Sequence, residues 1–238
     1  MALRPRRGGV ALIAVLVLVT TVVTGSVAGA KPNHSGYDVL FVRHAEANPP
    51  SGPLSDLGHS QAAALATLLH DDPVDAVDTS MLTRAFETGA AVATDHGLTL
   101  LADLRINEVS FDLTDVAPAD INTVVGARLS QWLNGEQRDN GFGAESYDDV
   151  QARWSSWWTD FVAEHRKDKG EAVVVAHGAL LLLMLPATCA NAIDPTFALT
   201  HGLANTSIVK ARLYPNGKLV CTDWAGTPIP SAPVAPSR

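Results

Sequence analysis

Apolar and polar positions along the 238-residue chain alternate between two periods. Tyr37 to Val42 is a short, nearly continuous apolar run and reads as a buried strand. Leu57 to Leu69 (LGHSQAAALATLL) repeats apolar residues at helical spacing, with Ser55 or Asp56 as N-cap and Asp71-Asp72-Pro73 as the stop. Val74 to Thr79 predicts a second strand, Met81 to His96 an Ala-rich helix ending at Gly97, and Leu98 to Leu101 a third strand. Glu171 to Ala176 (EAVVVA) is the most clearly buried strand, and Ile208 to Leu213 with Lys218 to Thr222 flank a hairpin signal at Pro215-Asn216-Gly217. Strands alternating with helices predict an α/β fold. The expected architecture is a three-layer α/β/α sandwich around a mostly parallel sheet, with the hairpin as an antiparallel edge.

Two segments break this rhythm. Ala117 to Arg166 is helical in tendency and holds four of the five tryptophans, Trp132, Trp154, Trp157 and Trp158. It reads as a helical insertion over the strand ends, its rings packing a small core of their own. The N-terminus carries Arg4, Arg6 and Arg7, then the uncharged run Val10 to Val23, then Ala28-Gly29-Ala30. That is the pattern of a secretory signal. Its apolar run falls short of the roughly 20 residues that span a bilayer, so cleavage is expected over a retained anchor. The expected organisation is a signal over 1–30, one domain over 31–226 and a Pro-rich disordered tail over 227–238. The product is secreted or held in the cell envelope, touching a membrane only if the signal stays.

Composition narrows the partners. The whole chain has 17 basic and 25 acidic residues, and the signal removes three Arg and no acid. The remainder, at 14 against 25, carries net charge −11. Nucleic acid is therefore excluded as a partner, because its binding rests on many cationic phosphate contacts. The two cysteines, Cys189 and Cys221, fit either a disulfide or two buried thiols, and their number and spacing suggest no metal site. Oligomeric state is not legible.

In an open α/β sheet, ligands gather outside the carboxyl ends of the strands. Four polar groups fall at such ends: Arg43-His44, Ser80 with Arg84, Glu108 in LRINEVSFD, and His177-Gly178. Together with VRHAE, the stretches PLSDLGHSQA (Pro53 to Ala62), TSMLTRAFETG (Thr79 to Gly89), INEV and VVVAHG resemble the histidine phosphatase superfamily, in its phosphoglycerate-mutase-like branch. Gly143-Ala144-Glu145-Ser146 with Arg153, and Leu203 to Ser207, extend the likeness over about residues 37–213.

The resemblance implies His44 as nucleophile and phosphate carrier, Arg43, Arg84 and His177 as the phosphate pocket, and Glu108 as proton donor. Physical chemistry agrees with those roles. Two guanidiniums present forked donors that match phosphate and disfavour a neighbouring imidazolium, keeping His44 neutral and nucleophilic. A carboxyl group beside a bound phosphate has a raised pKa and can protonate the leaving oxygen. The cage already supplies the positive charge, so no metal or other cofactor is expected. The expected activity is that of an exported phosphatase acting on small-molecule phosphomonoesters through phosphohistidine. The rivals are phosphoglycerate-mutase-type transfer and a non-catalytic phosphate-binding module. Arg105, Arg128, Arg138 and Arg153 are the scattered candidates for a second phosphate.

Some details stay open at this level. Asp103 is an alternative proton donor to Glu108. Ala45 replaces the usual glycine of the family pattern, and its methyl is expected to narrow the pocket. Ser80 and Thr88 read as loop and helix residues rather than ligands, and Glu46 as a hydrogen-bonding partner of its own loop. The remaining histidines, His59, His70, His96, His165 and His201, read as structural or surface groups.

Overall fold

The computed structural model describes residues 36–48, 51–141 and 143–229. The expected signal over 1–30, and residues 230–238 of the expected tail, lie outside the described residues. In chain order the elements are β1 Tyr37–Arg43, α1 Asp56–Leu69, β2 Val74–Ser80, α2 Thr83–Asp95, β3 Leu101–Asp103, α3 Ile121–Leu133, α4 Tyr147–His165, β4 Glu171–Ala176, α5 Gly178–Thr188, α6 Pro195–His201, β5 Ile208–Leu213, β6 Leu219–Trp224 and β7 Thr227–Pro228.

The strands form one sheet in the order β3-β2-β4-β1-β5-β6-β7. β3, β2, β4 and β1 run parallel, while β5, β6 and β7 each pair antiparallel with the strand before them in that order. The antiparallel part is thus three strands wide rather than a hairpin edge. Thr227–Pro228, expected to begin the disordered tail, are instead paired with β6 as β7. β3 starts at Leu101, where Leu98–Leu101 was expected. Leu98 and Leu100 pack under α2 before the chain reaches the sheet.

The two faces of β1 and β4 follow the two-residue period of a strand. Leu40, Val42, Val173 and Val175 meet Leu65, Ala66 and Leu69 of α1 and Ala85, Val92 and Ala93 of α2. Val39, Phe41, Ala172 and Val174 meet α3, α4 and α5 on the other side. That is the expected three-layer sandwich. The insertion does not have a core of its own, contrary to expectation. Trp132, Trp154 and Trp157 belong to the same buried cluster as Phe41, with Trp154 6.1 Å from the Phe41 ring and its Nε1 donating to Thr188 Oγ1 at 2.9 Å. The reason is length: α4, at 19 residues, is long enough to lay a whole apolar face on the sheet, and burying large rings there removes the most apolar surface from water.

Helix starts follow local chemistry. Ser55 caps α1 through Gly58 N, and Ser146 with Asp149 forms a reciprocal capping box at α4. A disulfide joins Cys189, at the end of α5, to Cys221 in β6.

Candidate active site

The carboxyl ends of β1, β2 and β4 converge, because β4 lies between the other two and pairs with both in parallel register. The chain leaving β1 is pinned from three sides. Arg43 N donates to Ser207 O at 3.1 Å, and Thr206 N donates to Arg43 O at 2.9 Å. His44 N donates to Ala176 O at 3.0 Å, and Asn205 Nδ2 donates to His44 O at 2.8 Å. Ala45 N donates to Thr88 Oγ1 at 3.0 Å, and that hydroxyl in turn donates to Arg84 O at 2.6 Å. Thr206 itself sits at φ 58°, which a β-branched residue adopts only at a cost, so the clasp from Leu203 to Ser207 holds strain next to the site. Below this loop, α1 approaches so closely that a Cβ on Gly58 would lie 1.9 Å from Glu46 O.

His44 is buried, and its two ring nitrogens have different partners. Nδ1 lies 2.7 Å from Ala45 O, so it carries the proton, and Nε2 accepts from Arg84 Nε at 3.0 Å. Burial, then the charges of Arg84 and Arg43, lower its pKa to about 4, against the opposing pull of the Ala45 carbonyl. Arg84 enters from the first turn of α2; burial and Arg43 lower its own pKa, with Glu108 pulling the other way. Arg43 donates from Nη1 to Leu203 O at 2.6 Å, and its Nε is buried with no hydrogen-bond partner among the described residues. Gly178 lets the guanidinium pass, since a Cβ there would stand 3.3 Å from Nε.

His177 is the N-cap residue of α5, fully buried, with its ring centroid 5.0 Å from that of His44. Burial first, then the charges of Arg84, His44, Arg153 and Arg43, lower its pKa to about 2. Its Nε2 is 2.6 Å from Ser80 Oγ, and its Nδ1 is buried with no hydrogen-bond partner among the described residues. Glu108 reaches the same helix start. Its Oε1 accepts from Val109 N and Leu180 N, both at 3.0 Å, and its Oε2 from Ala179 N at 3.3 Å. Burial raises the Glu108 pKa, and the three amides and Arg84 oppose it without cancelling it. The arrangement is a cage of cationic and N–H donors around a neutral imidazole, whose Nε2 lone pair is held by Arg84 Nε, and a carboxyl group poised to hold a proton. That set suits a tetrahedral oxyanion.

All five residues singled out from the sequence therefore come together. Asp103, the alternative donor, does not join them: it accepts from Arg105 N, Nε and Nη2. The Ala45 methyl does not narrow the pocket, because it is buried against Leu54 and Ala62 beneath the loop. Glu46 accepts from Ser55 Oγ, within its own loop as expected. The four other arginines considered for a second phosphate are engaged. Arg105 pairs with Asp103 and Asp160, and Arg128 donates to Asp112 O. Arg138 donates to Trp132 O and lies over the Tyr147 ring. Arg153 pairs with Glu145 and donates to the carbonyls of Arg105, Asn107 and Glu108, clamping the loop that carries Glu108.

Sequence reasoning placed Ser80 at a strand end and read Ser80 and Thr88 as loop and helix residues rather than ligands; Ser80 ends β2 and Thr88 lies in α2, and what the sequence did not give is their contacts. Thr88 ties His44's loop to Arg84, and Ser80 touches His177. Both contacts cross between elements far apart in the chain, so only the packing of β2 beside β4 and of α2 beside the loop after β1 could have signalled them. Among the described residues no group of three or more His, Cys, Asp or Glu side chains is placed to hold a metal ion.

The sequence profile of the histidine phosphatase superfamily (branch 1) matches residues 34–225. No curated protein matches the sequence. Among solved structures, one described as mycobacterial hydrolase 1 is 25% identical, with TM-score 0.65, over 81% of this chain and 99% of its own. A mycobacterial glucosyl-3-phosphoglycerate phosphatase complexed with VO3 is also 25% identical, with TM-score 0.62, over 79% and 98%. A phosphoglycerate mutase from Bacillus anthracis shares the fold at 17% identity and TM-score 0.63, over 81% and 94%.

Proposed function

The chain belongs to the histidine phosphatase superfamily, branch 1, and on that premise we propose that it is an exported phosphatase, hydrolysing small phosphomonoesters through a phosphohistidine on His44. The observation that carries this reading is the state of the His44 ring. Its proton is held on Nδ1 by Ala45 O, which leaves the Nε2 lone pair as the nucleophile, inside a shell of Arg43, Arg84 and His177. In the resting protein Arg84 Nε donates to that lone pair; a phosphoryl oxygen offers the guanidinium a better, charged acceptor and frees Nε2 to attack.

In the first step the Nε2–P bond forms as the ester P–O bond breaks, and the leaving oxygen takes the proton of Glu108. Its raised pKa keeps that proton available above the ordinary carboxylate range. In the second step Glu108, now a carboxylate, removes a proton from water. The water oxygen attacks phosphorus, the N–P bond breaks, and His44 returns neutral with phosphate released. Arg43 Nε and His177 Nδ1, with no hydrogen-bond partner among the described residues, receive charge on the equatorial oxygens. With that charge met by protein donors, no metal is needed.

One observation and one expectation favour hydrolysis over mutase-type transfer. The four further arginines are committed elsewhere, so a second phosphate or a substrate carboxylate finds little support. The proposed export would separate the protein from intracellular bisphosphates, and the Cys189–Cys221 disulfide is at home in an oxidising compartment. The test is hydrolysis of an aryl phosphate with and without a metal chelator, beside His44→Ala. Turnover should survive the chelator and fall by at least about 10³-fold in the variant. Full activity in His44→Ala, or loss with chelator, sinks the reading.

A further inference from the structure

We propose that Ser80 sets the tautomer of His177, making its Nδ1–H a donor to the phosphoryl group. The role in turnover rests on the phosphatase reading above; the tautomer itself does not. β2 and β4 are parallel neighbours with Thr79 opposite Val175, so Ser80, one residue beyond on β2, finishes within reach of His177, two residues beyond on β4. Both are fully buried, with Ser80 Oγ 2.6 Å from His177 Nε2.

The hydroxyl has one proton to give, and its second neighbour fixes the direction. Leu82 N donates to Ser80 Oγ at 3.2 Å, so the oxygen is already an acceptor there. Its own proton then points to Nε2, the other atom that hydrogen-bonds to it among the described residues. Were Nε2 protonated instead, Oγ would receive two donors and its own hydrogen would be buried without an acceptor, which is the arrangement folded proteins avoid. Burial and the charges of Arg84, Arg153 and Arg43 keep the ring neutral, so it carries one proton, and that proton is on Nδ1. Nδ1 is buried with no hydrogen-bond partner among the described residues, on a ring 5.0 Å from the ring of His44. A buried, unpartnered N–H beside an attacking imidazole is a donor waiting for an anion.

Without the hydroxyl the ring is free to move its proton to Nε2, and Nδ1 then presents a lone pair to phosphoryl oxygen, turning attraction into repulsion. Ser80 is thus a positioning residue, acting through His177 rather than on substrate. The experiment uses ¹⁵N-histidine-labelled protein and two-bond ¹H–¹⁵N correlation spectra near pH 7, for wild type, Ser80→Ala and Ser80→Thr. It is joined to a titration with inorganic phosphate and to aryl phosphate kinetics. In wild type, His177 should show a protonated Nδ1 and a bare Nε2. Ser80→Ala should shift the population toward protonated Nε2, weaken phosphate about tenfold and lower kcat by about 10- to 100-fold, whereas Ser80→Thr, which keeps the hydroxyl, should restore kcat to within about threefold. A wild-type His177 protonated on Nε2 overturns the proposal even if no variant folds. So does an Ser80→Ala protein with unchanged tautomer or unchanged phosphate affinity. If wild type hydrolyses no ester, the phosphatase reading fails, and the spectra and phosphate titration still decide the role of Ser80.

Discussion

His44 is held neutral to a pH well below that of a free imidazole, and this sets how the protein responds to acid. Its folded pKa is lowered to about 4 from 6.5, so the nucleophile is lost only as pH falls through about 4. Glu108 must be protonated to serve the leaving group, and its raised pKa lets the acid form persist above the ordinary carboxylate range before rising pH removes it. The profile of kcat/KM should therefore show an acid limb near pH 4, and Glu108→Gln should lose the alkaline limb together with most activity. An acid limb near 6.5 would contradict the burial argument. The same shift affects stability. The unfolded state takes up the His44 proton near 6.5 and the folded state only near 4, so stability falls as pH drops through that window, by about 3 kcal/mol from this residue. At this scale Arg43, His44, Arg84, Glu108 and His177 were legible because each stands at a strand end or the loop after it, in a local pattern. The contacts of Ser80 and Thr88 were not, since Ser80 meets His177 only because β2 neighbours β4, and Thr88 meets Ala45 N only because α2 packs beside the loop after β1.

The elements act as mounts. β1 aims His44, and α1 buttresses the loop beyond it through contact between Gly58 and Glu46 O, where a Cβ would stand at 1.9 Å. Gly58→Ala must push backbone against backbone, so it should destabilise by about 1–3 kcal/mol and cut kcat by at least about tenfold, since small misplacements of a nucleophile are costly. Urea unfolding and steady-state kinetics check both; a variant within twofold of wild type in kcat would show the loop is not held from below. Strand and helix positions followed from apolar period alone, with errors where the period is short. β3 has three residues and no alternation to read, and its start moved from Leu98 to Leu101. The tryptophans misled for another reason. Their spacing shows a buried face on α4 but not what buries it: the rings touch one another along the helix and also pack on Phe41 of β1, so they join the main core.

Across the whole molecule, a strongly negative chain concentrates its cationic donors where three strand ends meet. The Cys189–Cys221 bridge lies away from that point and joins α5, whose first turn holds Glu108, to the antiparallel strands. It closes a separation of 32 residues, so replacing both cysteines by Ala should cost about 3–4 kcal/mol in urea unfolding while leaving the pH profile of hydrolysis unchanged. The presence of a bridge was not legible, because separation in space is not written in two isolated cysteines.

Phosphoryl transfer through His44 is put to the test by an alkaline-quenched reaction with an aryl phosphate, followed by peptide mapping. An acid-labile, base-stable phosphoryl group should appear on the His44 peptide at a rate no slower than turnover, and be absent in His44→Ala. Steady hydrolysis with no such adduct, or an adduct on another residue, would contradict the account.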